Sequence, residues 1–470
     1  MKTRFKMLGS HWRQLAGLLG DTSTEQACFL LTSSAVGVDE TILTVRDIIP
    51  LTEDDFAVKE YDLLSVAAPA MLRAFRKAQR TGCGICMVHT HPMAAAEVCF
   101  SVADDIGNRA TFDYFCKMLP DRVHSCLVWN ASLSAVQGRV YTDGLTWQLI
   151  SQVEVIDDHV RRVLTDRARP RTGAAGEAYK RQVLLLGAQG QQLLHGLRVV
   201  VVGAGGLGSM VAMTLGHSGV GWLGLVDPDI LDVHNRPRQV GSRDEDIGIA
   251  SKVAVMARYL ATAAPDTRVQ TWATQVQAED LRSALVSADL VVCTTDSDSS
   301  RAHLNEICQR HLIPLLDLGV EFDADPTDGH IRGDIGKINL MLPGTPCLLC
   351  TGHLNPMKIA WESLPQTTRE NQVRDGYVRN WHLPQPSMMP FNGSVAARGV
   401  QLLLGYITGL IPATPDAYER YTFLNGNGLR HHSMVRKRGE PDCIICSPSQ
   451  GLVGHGATDP TPMAAKLLAT

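Results

Sequence analysis

Apolar residues along this chain fall into short continuous runs and longer runs with a helical period. Val199–Val202 are four consecutive valines, the pattern of a strand buried on both faces. Shorter strand-like runs lie at Ala27–Thr32, Thr41–Pro50, Ile85–His91, Gly224–Asp227 and Leu290–Asp296. Helical spacing marks Trp12–Gly20 and Val66–Arg80, where Leu72, Phe75 and Ala78 fall on one side. It also marks Thr146–Leu164, through Trp147, Ile150, Val153, Val160 and Val163. The apolar stretch Gly399–Pro412 is too short to span a bilayer, so it reads as a buried helix. Strands alternating with helices predict an α/β protein.

Composition narrows this picture. A chain of 470 residues exceeds one ordinary core, which points to two domains. The basic, turn-prone stretch Arg167–Gly176 is the expected hinge between them. A net charge of −4 argues against nucleic acid and anionic membranes as partners. The basic N-terminus lacks the apolar stretch of a signal peptide, so a soluble, cytoplasmic protein is expected. Of the 12 cysteines, six lie before residue 130, and among the others Cys347/Cys350 and Cys443/Cys446 form two C-x-x-C pairs. In a cytosolic protein such pairs indicate metal or redox chemistry before crosslinks.

His89 and His91 stand two apart on the Ile85–His91 strand, so both imidazoles point to one face, as a shared metal requires. Pro92 ends that strand, and Ser101 is placed to cap a helix carrying Asp104. An upstream Glu, then His-x-His-Pro, then Ser-x-x-Asp resembles the JAMM/JAB metalloprotease family over residues 8–140. The resemblance implies a JAB-type α/β domain over residues 1–145, with His89, His91 and Asp104 holding Zn²⁺ and a fourth position open. It makes Glu25 the general base and Ser101 a stabiliser of the oxyanion. The gap from His91 to Asp104 is longer than the family's by two residues, which the loop Met93–Phe100 must absorb. Asp105 therefore competes as third ligand. A metal-free JAB-like docking module is the other reading of the same residues. A helical linker over residues 146–176 follows.

After Val202 comes Gly203-Ala-Gly-Gly-Leu-Gly-Ser209, whose Gly203, Gly205 and Gly208 fit a G-x-G-x-x-G turn into a helix over Met210–His217. Asp227 lies at roughly the distance, about 20 residues, at which an acid meets a ribose hydroxyl. A dehydrogenase would look the same to this point. Hydride transfer, however, needs no cluster of cations, whereas activation of a carboxylate by ATP must neutralise a triphosphate. Arg181, Arg238 and Lys252 can supply that charge, and Asp296 can hold Mg²⁺.

Residues 177–446 resemble the ThiF/MoeB and ubiquitin-activating superfamily. The marks are Arg181-Gln182, G-x-G-G-x-G-S, D-x-D from Asp227 to Asp229, Asn235, Arg238-Gln239, Lys252, and T-D-x-x-x-x-R from Thr295 to Arg301. The resemblance implies a Rossmann-like, doubly wound adenylation domain using ATP and Mg²⁺. In it Gly203, Gly205, Gly206 and Gly208 cradle the nucleotide and Asp227 binds its ribose. Asp229 and Gln239 complete the nucleotide motif, Asn235, Arg238 and Lys252 bind the phosphates, and Asp296 binds Mg²⁺. Arg181 would reach the ATP of a neighbouring subunit, implying a homodimer. Cys347, Cys350, Cys443 and Cys446 would hold a structural zinc. Residues 447–470 are expected to be a flexible tail.

The superfamily acts on the C-terminal glycine of a ubiquitin-like protein, which the resemblance makes the expected partner. A conjugating-enzyme-like protein is a further possible partner. Fused halves of these two kinds resemble bacterial ubiquitin-like conjugation and sulfur-transfer systems, in which the N-terminal half would process or remove the protein that the other half adenylates. No cysteine lies between Thr351 and Asp442, where members that form their own thioester carry one in the crossover loop near Lys358–His382. The adenylate is then collected by an outside cysteine or a sulfur donor. A peptide C-terminus as substrate is the other open reading.

Overall fold

The computed structural model describes residues 2–457 apart from 95, 144, 158–160, 167–175, 325–329, 379–380, 382–385, 411–416, 424–429, 436–438 and 448–449. The expected hinge at 167–175 and the end of the tail therefore lie outside the described residues.

The N-terminal half runs β1 (Lys2–Leu8), α1 (Gly9–Leu19), β2 (Ala27–Val36), β3 (Glu40–Pro50), β4 (Phe56–Lys59) and β5 (Leu64–Val66). It continues with α2 (Ala68–Thr81), β6 (Gly84–His91), α3 (Val102–Met118), β7 (His124–Asn130) and β8 (Val136–Tyr141). Then come β9 (Trp147–Leu149), β10 (Gln152–Ile156) and β11 (Arg161–Asp166). Apart from the β4–β5 hairpin, these strands form one mixed sheet in the order β11-β10-β1-β3-β2-β6-β7-β8-β9. Alternation along its strands feeds two cores. Cys28, Leu30, Cys86 and Val88 pack with Leu15 and Leu19 of α1, while Phe29, Leu31 and Ile85 pack with Phe75 of α2 and Phe112 of α3.

Two expectations fail here. Leu72 is 41% exposed, and Ala70, Ala74, Phe75 and Ala78 form the buried face of α2 instead. The described residues of Thr146–Leu164 form not a helix but the strands β9 and β10 and the start of β11, while Val160 lies outside the described residues. Val153 and Val155 pair with Phe5 and Met7 of β1 and are fully buried. A spacing of three suits either structure over so short a span, and the open edge of β1 decides for the strand.

The C-terminal half begins with α4 (Lys180–His195), kinked at Gly187, then β12 (Arg198–Val202), α5 (Gly206–His217) and β13 (Trp222–Val226). Next are α6 (Lys252–Ala263), β14 (Arg268–Trp272), α7 (Glu279–Val286), β15 (Leu290–Cys293) and α8 (Asp298–Arg310). β16 (Leu315–Ala324), β17 (Ile331–Met341), α9 (Pro356–Glu362), α10 (Gln366–Arg374), α11 (Met389–Thr408), β18 (Ala417–Thr422) and β19 (Arg430–Val435) complete it. The sheet order is β14-β13-β12-β15-β16-β17-β18-β19, parallel from β14 through β16 and antiparallel beyond. Val199 and Val201 enter the core under α5 and α11, and Val200 and Val202 enter the opposite core with α7 and α8. The valine run is thus a doubly covered central strand. Strand order reverses between β12 and β15, and a ligand crevice opens beyond the strand ends at such a switch point. α5 starts at Gly206, earlier than the apolar run implied, so the glycines themselves form its first turn.

The two sheets are joined by buried polar contacts. The Arg4 guanidinium reaches Glu154 at 2.9 Å, Glu40 at 3.4 Å and, across the junction, Asp289 at 2.7 Å. Arg4 also donates to the Ser287 carbonyl, and Tyr406 donates to the Asp157 carbonyl. The segment after Cys446 does not hang free as far as residue 457. Leu452 is buried, the Gly454 carbonyl accepts a 2.8 Å bond from the Thr44 hydroxyl, and Ala457 N–H points to the Ser34 carbonyl. No described helix is long and apolar enough to cross a membrane.

Candidate functional site

Among the described residues, three clusters bring candidate side chains together. The first surrounds the glycine loop at the end of β12. Gly203 has φ +93°, a conformation that side chains rarely adopt, and a Cβ there would lie 2.7 Å from Thr294 Oγ1. A Cβ on Gly208 would lie 1.8 Å from the Gly203 carbonyl oxygen, so α5 can approach the strand only without one. A Cβ on Gly205 would meet nothing within 4 Å. That open space, beside the N–H groups at the start of α5, fits a phosphate.

Around this loop the expected residues converge. Asp227, at the end of β13, accepts from Ala204 N–H at 2.7 Å and from Asp229 N–H at 2.9 Å. Burial pushes its pKa up, against the pull of Lys252. Lys252 opens α6 with its Nζ 2.6 Å from Asp229 and 3.8 Å from Asp227. Gln239 is buried and donates to the Lys252 carbonyl. Asn235 accepts from Asp232 N–H and holds the turn that brings Arg238 beside Gly206. Among the described residues Arg238 has no carboxylate partner, so its charge is available to a ligand. Thr294 bonds the Val202 and Gly203 carbonyls, which places the loop with Asp296 alongside the glycines. Asp296 is exposed at the sheet's end, a carboxylate open to a hard cation such as Mg²⁺.

Arg181 does not join this group. Its neighbour Gln182 bonds the His217 carbonyl, at the far end of α5 from the glycine loop. One residue escaped the sequence reading as a site member. Asn392 is buried, and its amide lies 2.6 Å from where a Gly206 Cβ would stand. An Asn-Gly pair at the start of an otherwise apolar helix was the available signal.

The second cluster joins the knuckle of Cys347 and Cys350 to that of Cys443 and Cys446. Cys347 Sγ lies 3.7 Å from Cys443 Sγ, and Cys350 Sγ lies 3.6 Å from Cys446 Sγ. A tetrahedral zinc with Zn–S bonds of about 2.3 Å requires sulfurs about 3.8 Å apart. The four buried thiols therefore fit that ion and are not disulfides.

The third cluster lies on the N-terminal sheet. Asp104 approaches His89 at 3.0 Å and His91 at 3.2 Å, and the two imidazole Nε2 atoms are 3.3 Å apart. One ligand atom from each lies within 4.8 Å of the others, which suits a single metal ion. Burial alone would raise the Asp104 pKa, but its bonds to His89 and His91 hold it well below the usual carboxylate range. Ser101 caps α3, accepting from Asp104 N–H and donating to the Asp104 carboxylate. Asp105 turns away to pair with Arg139, which leaves Asp104 as the carboxylate at the histidines. Arg139 is itself stacked between Phe100 and Trp147. Glu25 lies 3.8 Å from His91, and burial is the main cause that pushes its carboxyl up to about 7. A cleft of about 120 Å³ opens over Glu25, His89, Ser101 and Asp104.

The ThiF family model matches residues 179–445. The chain belongs to the ThiF family. It is 32% identical over 294 residues to the SAMP-activating enzyme E1 of Haloferax volcanii, covering 60% of this chain and 90% of that protein. It is 34% identical over 140 residues to the sulfur carrier protein ThiS adenylyltransferase of Escherichia coli, covering 29% of this chain and 55% of that protein. It is also 34% identical over 134 residues to the adenylyltransferase and sulfurtransferase MOCS3 of Dictyostelium discoideum, covering 28% of this chain and 31% of that protein. The ThiF match contains the glycine loop, Asp227, Arg238, Lys252, Asp296 and, of the clustered cysteines, Cys347, Cys350 and Cys443. It leaves the N-terminal sheet outside. Adenylyltransferase activity of the ThiF kind follows for the C-terminal half.

Proposed function

We propose that this protein adenylates the C-terminal glycine carboxylate of a ubiquitin-like or sulfur-carrier protein. The observation that carries the reading is the gathering of Arg238, Lys252, Asp227 and Asp296 around a glycine loop with open space at Gly205. In this reading the triphosphate lies against the start of α5, with Asp227 toward the ribose and Asn235, Arg238 and Lys252 toward the phosphates. Asp296 holds Mg²⁺, which supplies positive charge to the phosphate oxygens. The carboxylate oxygen bonds to the α-phosphorus, the bond from that phosphorus to the β-bridging oxygen breaks, and pyrophosphate leaves with the electron pair. Arg238 and Lys252 stabilise the charge gathering on the leaving group.

The acyl-adenylate then needs an outside nucleophile. Cys293 and Cys308, in the same half, are fully buried and held as neutral thiols by burial. Two of the relatives are named for sulfur carriers or sulfur transfer, which favours a sulfur donor over a conjugating enzyme's cysteine. Arg181, remote from its own glycine loop, suits a role in a second subunit's site. The test is ATP–pyrophosphate exchange with a small carrier protein ending in Gly-Gly. Exchange should require that free tail and fall at least a hundredfold in Lys252→Ala. Exchange that is equal without the tail would overturn the choice of substrate.

The His89, His91 and Asp104 cluster favours a second activity in the N-terminal half, zinc-dependent cleavage after the same tail. A carrier extended past its glycine should then be trimmed, and Glu25→Ala should stop the trimming. Retained carrier binding without trimming would leave this half as a docking module.

A further inference from the structure

The crossover segment carries a latch that reaches back to the loop of Asp296. Glu362, on α9, accepts from Ser299 N–H at 2.7 Å, from Asp298 N–H at 3.3 Å and from the Ser297 hydroxyl at 2.9 Å. Those groups are the first turn of α8, whose unsatisfied N–H groups and dipole favour a carboxylate. One turn earlier on α9, Lys358 Nζ donates to the Asp296 backbone carbonyl at 3.0 Å and to Asp298 Oδ1 at 3.1 Å. Asp298 in turn accepts from Asn355 N–H at 2.9 Å, and Asn355 caps α9. Both latch side chains are largely shielded from water, Lys358 being 22% and Glu362 12% exposed. On its other side the loop is tied to β12 by Thr294. Asp296 is therefore held through its main chain from both sides, while its carboxylate remains exposed.

We infer that Lys358 and Glu362 are positioning residues that fix the Asp296 carboxylate for the metal ion of the ATP complex. The inference rests on the reading of Asp296 as the Mg²⁺ ligand. Neither residue reaches the glycine loop; both act through the loop that carries Asp296.

The test uses the full chain with Mn²⁺ as probe and the non-hydrolysable analogue AMPCPP, free Mn²⁺ being read by electron paramagnetic resonance. Lys358→Met should weaken Mn²⁺ binding about tenfold and Glu362→Gln about threefold, while Lys358→Arg restores most of the affinity. In pyrophosphate exchange the Mg²⁺ concentration for half activity should rise by the same factors, with kcat at saturating Mg²⁺ changing less than twofold. Thermal melting checks the fold, and Glu362→Gln carries the test where Lys358→Met does not fold. Unchanged Mn²⁺ affinity in both variants, with Asp296→Asn losing it, overturns the latch alone. Unchanged affinity in Asp296→Asn overturns the latch and the metal role of Asp296 together.

Discussion

Gly208→Ala and Gly205→Ala form a pair that separates packing from ligand contact in one loop. The added Cβ of Gly208→Ala would stand 1.8 Å from the Gly203 carbonyl oxygen and 2.6 Å from Thr294 Oγ1. The Gly203 carbonyl is backbone and cannot swing away as a side chain could, so α5 must retreat by more than an ångström. Overpacking of this kind costs about 1–3 kcal/mol, which for a unit of this size lowers the melting temperature by roughly 2–4 °C per kcal/mol. A displacement of about 1 Å at a positioned reactant also costs on the order of a hundredfold in rate. Gly208→Ala should therefore lose several degrees of stability and about a hundredfold in pyrophosphate exchange. Gly205→Ala meets nothing within 4 Å in the protein and should melt like the parent. Its methyl group fills only the space assigned to phosphate, so the half-saturating ATP concentration should rise at least tenfold. Calorimetry and exchange kinetics on the two variants provide the check. A Gly205→Ala enzyme with the parent's ATP dependence would refute the placement of phosphate at this loop.

The other expectations concern metals and the junction between the sheets. Purified protein should hold about two zinc ions per chain, counted by plasma emission. Cys350→Ser should remove one of them and lower the melting temperature, since a structural zinc contributes to folding; an unchanged count would exclude the four-cysteine site. His89→Ala with Asp104→Ala should remove the other and leave ATP–pyrophosphate exchange intact, and a loss of exchange would show the two centres to be coupled. Arg4→Met removes a buried cation shared by Glu154 and Asp289, and breaking a buried ion pair from one side costs about 3–5 kcal/mol. Its melt should shift strongly downward, and a shift under one degree would refute the junction's contribution.

What the sequence disclosed was local. Four valines before a glycine loop identify a central strand without knowledge of its partners, and two histidines on alternate residues of a strand face the same way wherever it packs. The cap Ser101 is local too, but joining Asp104 to the histidines took the family resemblance, and only the pairing of Asp105 with Arg139 in the fold decides between the two aspartates. Residues 146–164 misled because Trp147, Ile150 and Val153 satisfy a helical period, whereas Trp147 pairs with β8 and Val153 with β1, the first element of the chain. Lys358 and Glu362 were invisible as positioning residues for the same reason. Their chemistry depends on contacts with the Asp296 loop and α8, which no local spacing encodes.

The short segment from Leu452 to Ala457 has a consequence for the order of assembly. It begins six residues after Cys446, the last cysteine of the four-cysteine cluster, and lies against Thr44 and Ser34, on strands made at the very start of synthesis. That flank of the first sheet emerges from the ribosome early and waits, uncovered, until residue 457 arrives. A zinc ion bound at Cys443 and Cys446 would shorten the search by delivering the segment to within a few residues of its seat. Metal supply during translation would then govern how long the first half of the protein remains open to chaperones and proteases.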